Sequence, residues 1–221
     1  MTQPATEVQA SIVDGREDHI PFLAWVVLTA FRSHLERGMW EFFVDGSEAD
    51  RLRFLETLAA TETRHWEHYS NFIVAEHEGK PVAALCGYFE AECAGLFFQQ
   101  GVQEACKTLG WTEAEVNAGW GRAGTIVHCS SEHAPGAWIV ENVATLPEFR
   151  RRGLVDRLLQ EILERGRTAD APVAEIGVFI GNDGAQRAYE KAGFAVIDEK
   201  RHPDFEAVYG CPGARLLRRQ L

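Results

Sequence analysis

The sequence has few cysteines and no paired metal-binding motif. Five cysteines are scattered over 221 residues, and no two of them form a Cys-x-x-Cys pair. Such an odd, scattered set indicates neither a disulfide framework nor a zinc site. We therefore expect buried free thiols and no metal. The sequence also lacks internal repeats and low-complexity segments, and nothing in it calls for two domains.

Long apolar runs are lacking as well. The longest apolar stretch lies near residues 22–31, which is far short of the roughly 20 residues that span a bilayer. The N-terminus has no basic segment followed by an apolar one, as a secretory signal would have. We therefore expect a soluble, cytoplasmic protein with no membrane partner.

Basic residues are outnumbered by acidic ones. Lys and Arg total 22 against 33 Asp and Glu, which gives a formal net charge of −11 at pH 7. Because contacts to phosphate supply most of the non-specific affinity for nucleic acid, this excess of acid argues against nucleic acid as a partner. Arg150, Arg151 and Arg152 form a local positive patch on the acidic chain. That contrast favours a small anionic ligand.

The rest of the chain is organised around residues 138–163. Residues 138–145 are apolar and rich in β-branched side chains, which predicts a mostly buried strand that ends before Pro147. From Leu154 onward, apolar side chains recur at the spacing of one helix face, and Gly166 is the predicted stop. Between them lie residues 150–153, where guanidinium groups meet the free N–H groups of a helix start. This turn is either a phosphate site or a solvated run of surface arginines.

A second unit of strand, turn and helix follows. Residues 173–180 predict another buried strand, and Asn182 stands in the turn after it. Tyr189 lies on a short predicted helix that Gly193 ends, and a strand begins again after Phe194. In this order, the two units resemble the GNAT superfamily of acyl-CoA-dependent N-acyltransferases.

The pyrophosphate motif of that family is the most specific part of the resemblance. The family has Arg or Gln, two residues, Gly, one residue and then Gly or Ala, and this pattern falls on residues 150–155. Val155 departs from it, since the family has Gly or Ala there. A small residue at that position lets the backbone approach the phosphates closely. The resemblance extends over residues 138–200.

The order of elements predicts an α/β fold. We expect a GNAT-like mixed, mainly antiparallel sheet with one central parallel βαβ unit and flanking helices. The domain is predicted to be single, over residues 1–221, with a helical insertion at about 90–136, where glycines interrupt short helical patterns. The insertion carries Trp111 and Trp120 and is predicted to cover the place where an acceptor substrate would bind. The alternative is a surface excursion without a functional role.

The first half of the chain supplies further elements. A strand is predicted at residues 8–13, a helix at about 17–37, and an antiparallel hairpin at 71–88. Ser47, followed three residues later by an aspartate, predicts the start of another helix. The aromatic residues 39–43 are predicted to form a loop that is either additional core or one wall of an acceptor pocket.

The resemblance implies acetyl-CoA as the acyl donor. In the family, the two central parallel strands part, and the pantetheine arm pairs with their free backbone groups. A backbone N–H near Val143 would then polarise the thioester carbonyl. Asn182 is expected to bond the cofactor, although it could equally cap the following helix. The cofactor-binding residues implied in this way are Val143, Ala144, Thr145, Arg150, Arg151, Arg152, Gly153, Leu154, Val155 and Asn182.

The chemistry requires a base and an acid. An alkylamine has a pKa near about 10.4, so a group must accept its proton before it can attack a thioester. Glu141 is the first candidate because it lies in an otherwise apolar strand, where burial would raise its pKa. The alternative is that Glu141 pairs with an arginine or faces solvent, and His128 and His133 are the next candidates. By resemblance, Tyr189 protonates the leaving thiolate; its alternative role is core packing.

Two functions are therefore open at this point. The first is an N-acetyltransferase that moves an acetyl group from acetyl-CoA to a primary amine of a small molecule, by direct attack in a ternary complex. The second is a non-catalytic acyl-CoA-binding sensor or partner subunit. Direct attack is preferred over a covalent intermediate because Cys129 has no clear base in the sequence. A homodimer is possible by resemblance alone.

Overall fold

The computed structural model describes residues 9–221, and Val8 of the first predicted strand lies outside them. One sheet of seven strands crosses the molecule in the order β1-β2-β3-β4-β5-β7-β6. Within the described chain, every neighbouring pair is antiparallel except β4 and β5, so the mixed sheet is confirmed. The strands are β1 Ser11–Asp14, β2 Phe72–His77, β3 Lys80–Phe89, β4 Trp138–Thr145, β5 Val173–Phe179, β6 Ala195–Arg201 and β7 Gly213–Gln220.

Helices cover both faces of this sheet. On one side, called the α1 face, the first helices and the segment 90–136 form an apolar core with β2, β3 and β4. On the other side, called the α7 face, α7 and α8 pack on the central strands. The helices are α1 Ile20–Arg32, α2 Met39–Phe43, α3 Glu48–Ala59, α4 Glu90–Cys93, α5 Leu96–Thr108, α6 Glu113–Ala123, α7 Leu154–Thr168, α8 Asp183–Lys191 and α9 Pro203–Tyr209.

The predicted end of α7 at Gly166 was wrong. The helix continues through Gly166 to Thr168. A Cβ atom at Gly166 would lie 2.8 Å from Leu221 and 3.0 Å from Trp138. This glycine therefore permits close packing of the helix on its neighbours, and it does not terminate the helix.

The first helix is also shorter than predicted. A 3₁₀ turn at Glu17–His19 precedes α1, which ends at Arg32 because Ser33 adopts a left-handed φ of 58°. Residues 39–43 form the short helix α2 and not a loop. Helix α9, between the last two strands, was not predicted; Pro203 begins it and Gly210, with a φ of 81°, follows it.

The aromatic residues of α2 belong to the core. Trp40 and Phe43 are fully buried, and Phe43 lies 5.8 Å from Trp111 and 4.6 Å from Trp120 between ring centroids. The segment 90–136 is helical, as expected, and its tryptophans pack on Phe43 and Phe54. These rings contact each other within the apolar core, so residues 39–43 are additional core, the first of the two alternatives.

All five cysteines are buried and unpaired. No helix in residues 9–221 has the length and apolar character needed to cross a membrane.

Candidate active site

The two central strands part halfway along their length. In the described chain, β4 and β5 pair only from Trp138 to Val140, opposite Ala174 to Ile176. A bulge in β4 begins just beyond this point, because two residues, including Asn142 with a φ of 55°, stand opposite one residue of β3. The β5-facing edge of residues 141–145 therefore has no neighbouring strand. This leaves a gap, called the wedge, lined by backbone groups that a ligand could pair with.

The positive turn lies where β4 gives way to α7. Gly153 caps α7 with a left-handed φ of 78°, and a Cβ atom at this position would meet nothing within 4 Å. Arg150, Arg151 and Arg152 are exposed, and none of them forms an ion pair with a carboxylate of residues 9–221. Free positive charge and the positive end of a helix dipole therefore coincide, which suits a phosphate group.

Thr145 connects this turn to the wedge. The Arg150 Nε–H donates to the Thr145 carbonyl oxygen at 3.3 Å. The Thr145 hydroxyl is buried and has no hydrogen-bond partner among the described residues. An unpaired buried hydroxyl is costly, so a ligand in the wedge with a polar atom at this height would stabilise it.

Glu141 lies on the α1 face at the point where the strands part. It stands opposite Cys86 of β3, and the Tyr88 hydroxyl donates to Glu141 Oε2 at 2.7 Å. Burial raises the pKa of Glu141, while the bond from Tyr88 and the nearby His133 oppose this shift and Glu90 adds to it. A carboxylate with a raised pKa is suited to accepting a proton near neutral pH.

Glu67, from the loop between α3 and β2, is the second carboxyl of this region. It is 1 % exposed, and neither of its oxygens has a hydrogen-bond partner in the described chain. Burial and the charge of Glu141 raise the pKa of Glu67 far above its ordinary value. The indole N–H groups of Trp40 and Trp66 oppose this shift, but neither has the geometry of a hydrogen bond. Burial and the neighbouring carboxyl of Glu141 therefore both favour the protonated form of Glu67.

Sequence reasoning missed both Glu67 and Tyr88. Glu67 stands in an irregular loop, and no periodic pattern or motif marks it as buried. A signal existed for Tyr88, because it is a hydroxyl-bearing residue in a predicted apolar strand. To predict its hydrogen-bond partner, Glu141, one would need the register of β3 on β4, and a bulge shifts this register.

Tyr189 lies on the other face of the sheet. It is buried among the α7-face residues, and burial raises its pKa. Its hydroxyl forms no hydrogen bond with any residue of 9–221. The structure therefore places Glu141 and Tyr189 on opposite sides of the sheet and does not bring them into contact.

Asn182 has a clear structural role. Its side-chain oxygen accepts from the Ala185 N–H at 3.2 Å and caps α8. Its amide group donates to the Ser33 hydroxyl at 2.7 Å. Capping, one of the two alternatives for this residue, is therefore observed, and the contact with a cofactor stays a prediction.

The two histidines considered as bases have different surroundings. His133 Nδ1 bonds Glu175 Oε2 at 2.7 Å, and Glu175 is fully buried and paired with Arg218. His128 stacks on His202, with ring centroids 4.0 Å apart and an interplanar angle of 12°. These two rings and Asp204 could each offer a metal ligand atom, but stacked parallel rings do not direct their nitrogen lone pairs to one point.

Comparison with known families agrees with this geometry. A family model described as the acetyltransferase (GNAT) family matches residues 37–194, which is more than half of the chain. The chain belongs to the GNAT acetyltransferase family. Comparison with curated proteins gives no significant match.

Solved GNAT structures share the fold at low sequence identity. A crystal structure described as an acetyltransferase has a TM-score of 0.69 and 18 % identity, and the alignment covers 95 % of this chain and 98 % of the other. An N-acetyltransferase from Staphylococcus aureus Mu50 has a TM-score of 0.66 at 19 % identity, with 95 % and 100 % covered. An aminoglycoside acetyltransferase solved with coenzyme A and kanamycin has a TM-score of 0.52 at 16 %, with 96 % and 95 % covered. The GNAT fold thus extends over nearly the whole chain.

Proposed function

We propose that this GNAT protein moves an acetyl group from acetyl-CoA to the primary amine of a small molecule, by direct attack in a ternary complex. The observation that carries the proposal is the wedge between β4 and β5. It has the free arginines of residues 150–152 at one end and the Glu141 carboxyl on the α1 face at the other. A donor with an anionic head and a reactive tail fits between two such ends.

The residues around the wedge suit coenzyme A. The arginines and the start of α7 would hold its pyrophosphate. The unpaired edge of residues 141–145 would pair with the amide groups of the pantetheine arm, and the Thr145 hydroxyl would gain a partner. When bound, acetyl-CoA supplies the activated acetyl group as a thioester. Val155 is half-buried in the α7-face core, so the first turn of α7 would meet the phosphates through its backbone.

Side chains on the two faces of the sheet would accept and donate the protons of the reaction. Glu141 would accept the proton of the attacking amine, directly or through water. Tyr189 would protonate the departing thiolate from the α7 face. A covalent acyl-enzyme is disfavoured because burial raises the pKa of the Cys129 thiol and of the Cys86 thiol, which keeps both protonated.

The acceptor is proposed to be small and cationic. The net charge of −11 attracts a protonated amine. The Glu141 carboxylate beside the wedge would add local negative charge when it is ionised. These features support an amine metabolite over an acidic acceptor.

The deciding experiment measures thiol release from acetyl-CoA with a panel of primary amines and a lysine-containing peptide. We expect release that depends on the small amine and exceeds the release seen with the peptide. Binding of acetyl-CoA without any acceptor-dependent release would contradict the enzyme and favour the acyl-CoA sensor. Better turnover of the peptide would contradict the small-molecule acceptor.

A further inference from the structure

One residue of the central strand β5 is unusually open. Within Val173–Phe179, Gly177 is the only exposed residue; the others are buried or half-buried. A Cβ atom at Gly177 would meet nothing within 4 Å, and its φ lies outside the left-handed region. Neither crowding nor backbone conformation therefore requires glycine here.

The open space lies on the same face as Glu141. Ala174, Ile176 and Val178 belong to the α7-face core. Because side chains alternate along a strand, a side chain at Gly177 would point to the α1 face. Pairing of β4 with β5 ends at Val140 and Ile176, so Glu141 and Gly177 are the first residues beyond it on the two strands. The space above Gly177 thus lies across the start of the wedge from the proposed base.

Both ends of this space are closed. Glu175, two residues before Gly177 on the same face, is covered by His133 and paired with Arg218. Phe179, two residues after it, packs on Phe205 at 5.4 Å between centroids. The Cα atoms of these two flanking residues are about 13 Å apart at a rise of about 3.3 Å per residue. These two residues flank the open space above Gly177, which is called the slot.

We propose that Gly177 is a specificity-determining residue, because its missing side chain forms the floor of the slot through which the acceptor amine reaches Glu141. The acceptor is then a slender primary amine whose carbon next to the nitrogen carries no branch. This inference rests on the proposed acetyl transfer and adds the shape of the acceptor to it.

The test uses matched acceptors and a graded set of side chains. The acceptors are n-butylamine with sec-butylamine, and benzylamine with α-methylbenzylamine, which add a branch beside the nitrogen. The wild-type protein should prefer the unbranched member of each pair by about 10-fold or more, as a tight pocket does for one methyl group. Gly177→Ala should lower kcat/KM for n-butylamine by about 10-fold, and Gly177→Val by about 100-fold.

The variants should fold, which separates this effect from general damage. A β-branched residue favours a strand, and its Cβ atom would meet nothing within 4 Å here, so Tm should stay equal or rise. The rise in Tm on adding CoA should match that of wild type. Gly121→Ala is the matched control, because its Cβ also meets nothing within 4 Å but lies on α6. It should leave all rates unchanged.

Each outcome has a distinct meaning. Wild-type rates in Gly177→Val, or equal wild-type rates with branched and unbranched amines, would overturn the slot and leave the acetyl transfer intact. Absence of turnover by the wild-type protein with every amine would overturn the proposed function and the slot together. A fall in rate accompanied by a loss of CoA binding would assign Gly177 to the cofactor and overturn the slot.

Discussion

The two ends of the wedge are built in different ways. The proposed cofactor end comes from one continuous segment, residues 143–155, and depends on backbone conformation and exposed charge. The proposed acceptor end is assembled from β3, β4, β5 and the loop before β2, and depends on buried side chains such as Glu67 and Tyr88. A continuous segment can be recognised in sequence, whereas an assembled site depends on strand register and on loop placement. We therefore expect substitutions at the two ends to separate binding from turnover.

The largest effect should follow Glu141→Gln. If Glu141 is the base, kcat/KM should fall by roughly 10²-fold to 10⁴-fold. The wild-type rate should decrease as the pH falls through the raised pKa of Glu141, because protonation removes the base. The variant should lack this acid limb, and its affinity for CoA should be unchanged. A wild-type pH profile in the variant would show that another group accepts the proton.

Tyr189→Phe should have the next largest effect. Loss of a general acid should lower kcat by roughly 10²-fold and leave CoA affinity nearly intact. The phenyl ring keeps the packing of the α7-face core, so Tm should change little. If kcat is unaffected, Tyr189 serves only in packing.

Charge reversal in the turn should act on the other end of the wedge. Arg150→Glu or Arg152→Glu should weaken CoA binding by roughly 10-fold to 100-fold, since a charge-assisted contact contributes about 1.5–3 kcal/mol. Titration calorimetry at two salt concentrations measures this loss. Arg167→Glu is the control, because Arg167 lies in the last turn of the same helix and pairs with Glu164. Equal losses in control and test variants would indicate only a general charge effect.

The last effect concerns stability and should leave the two ends of the wedge otherwise unchanged. Glu67 has a raised pKa in the folded protein, so folded molecules bind more protons than unfolded ones and stability falls as the pH rises above the unfolded pKa. Glu67→Gln removes this term, and the variant should become more stable relative to wild type by up to about 1.4 kcal/mol per pH unit. Thermal melts from pH 5 to pH 8 measure the difference. Glu62→Gln, on an exposed residue of the same loop, should show no such trend; a pH-independent difference for Glu67→Gln would mean that Glu67 is ionised.

The parts of the fold that were predictable follow local rules. The apolar, β-branched run at residues 138–145 located β4 to the residue, and the box of Ser47 with Asp50 located the start of α3. The end of α7 was mispredicted because Gly166 permits tertiary packing, which a local rule for helix ends does not include. Helix α9 was missed because Pro203 and Gly210 were not recognised as its start and stop signals.

The candidate site also contains residues with a local sequence signal and residues that depend on tertiary structure. The arginines and Gly153 form a local motif, so the sequence alone can nominate them as candidates. Glu141 can be nominated in the same way, because a charged residue interrupts an apolar strand. Glu67 is relevant to the site through its electrostatic interaction with Glu141, and Gly177 through its place just beyond the last pair of β4 and β5, so both depend on tertiary structure. Their residue types alone carried no such signal.

The five buried cysteines bear on how this protein is assayed. Burial raises the pKa of every one of them, so the native thiols are both inaccessible and protonated. A chromogenic disulfide reagent should therefore react with released CoA and give little background from the folded protein. The same reagent should become a reporter of unfolding in denaturant, where each chain would expose five reactive sulfur atoms.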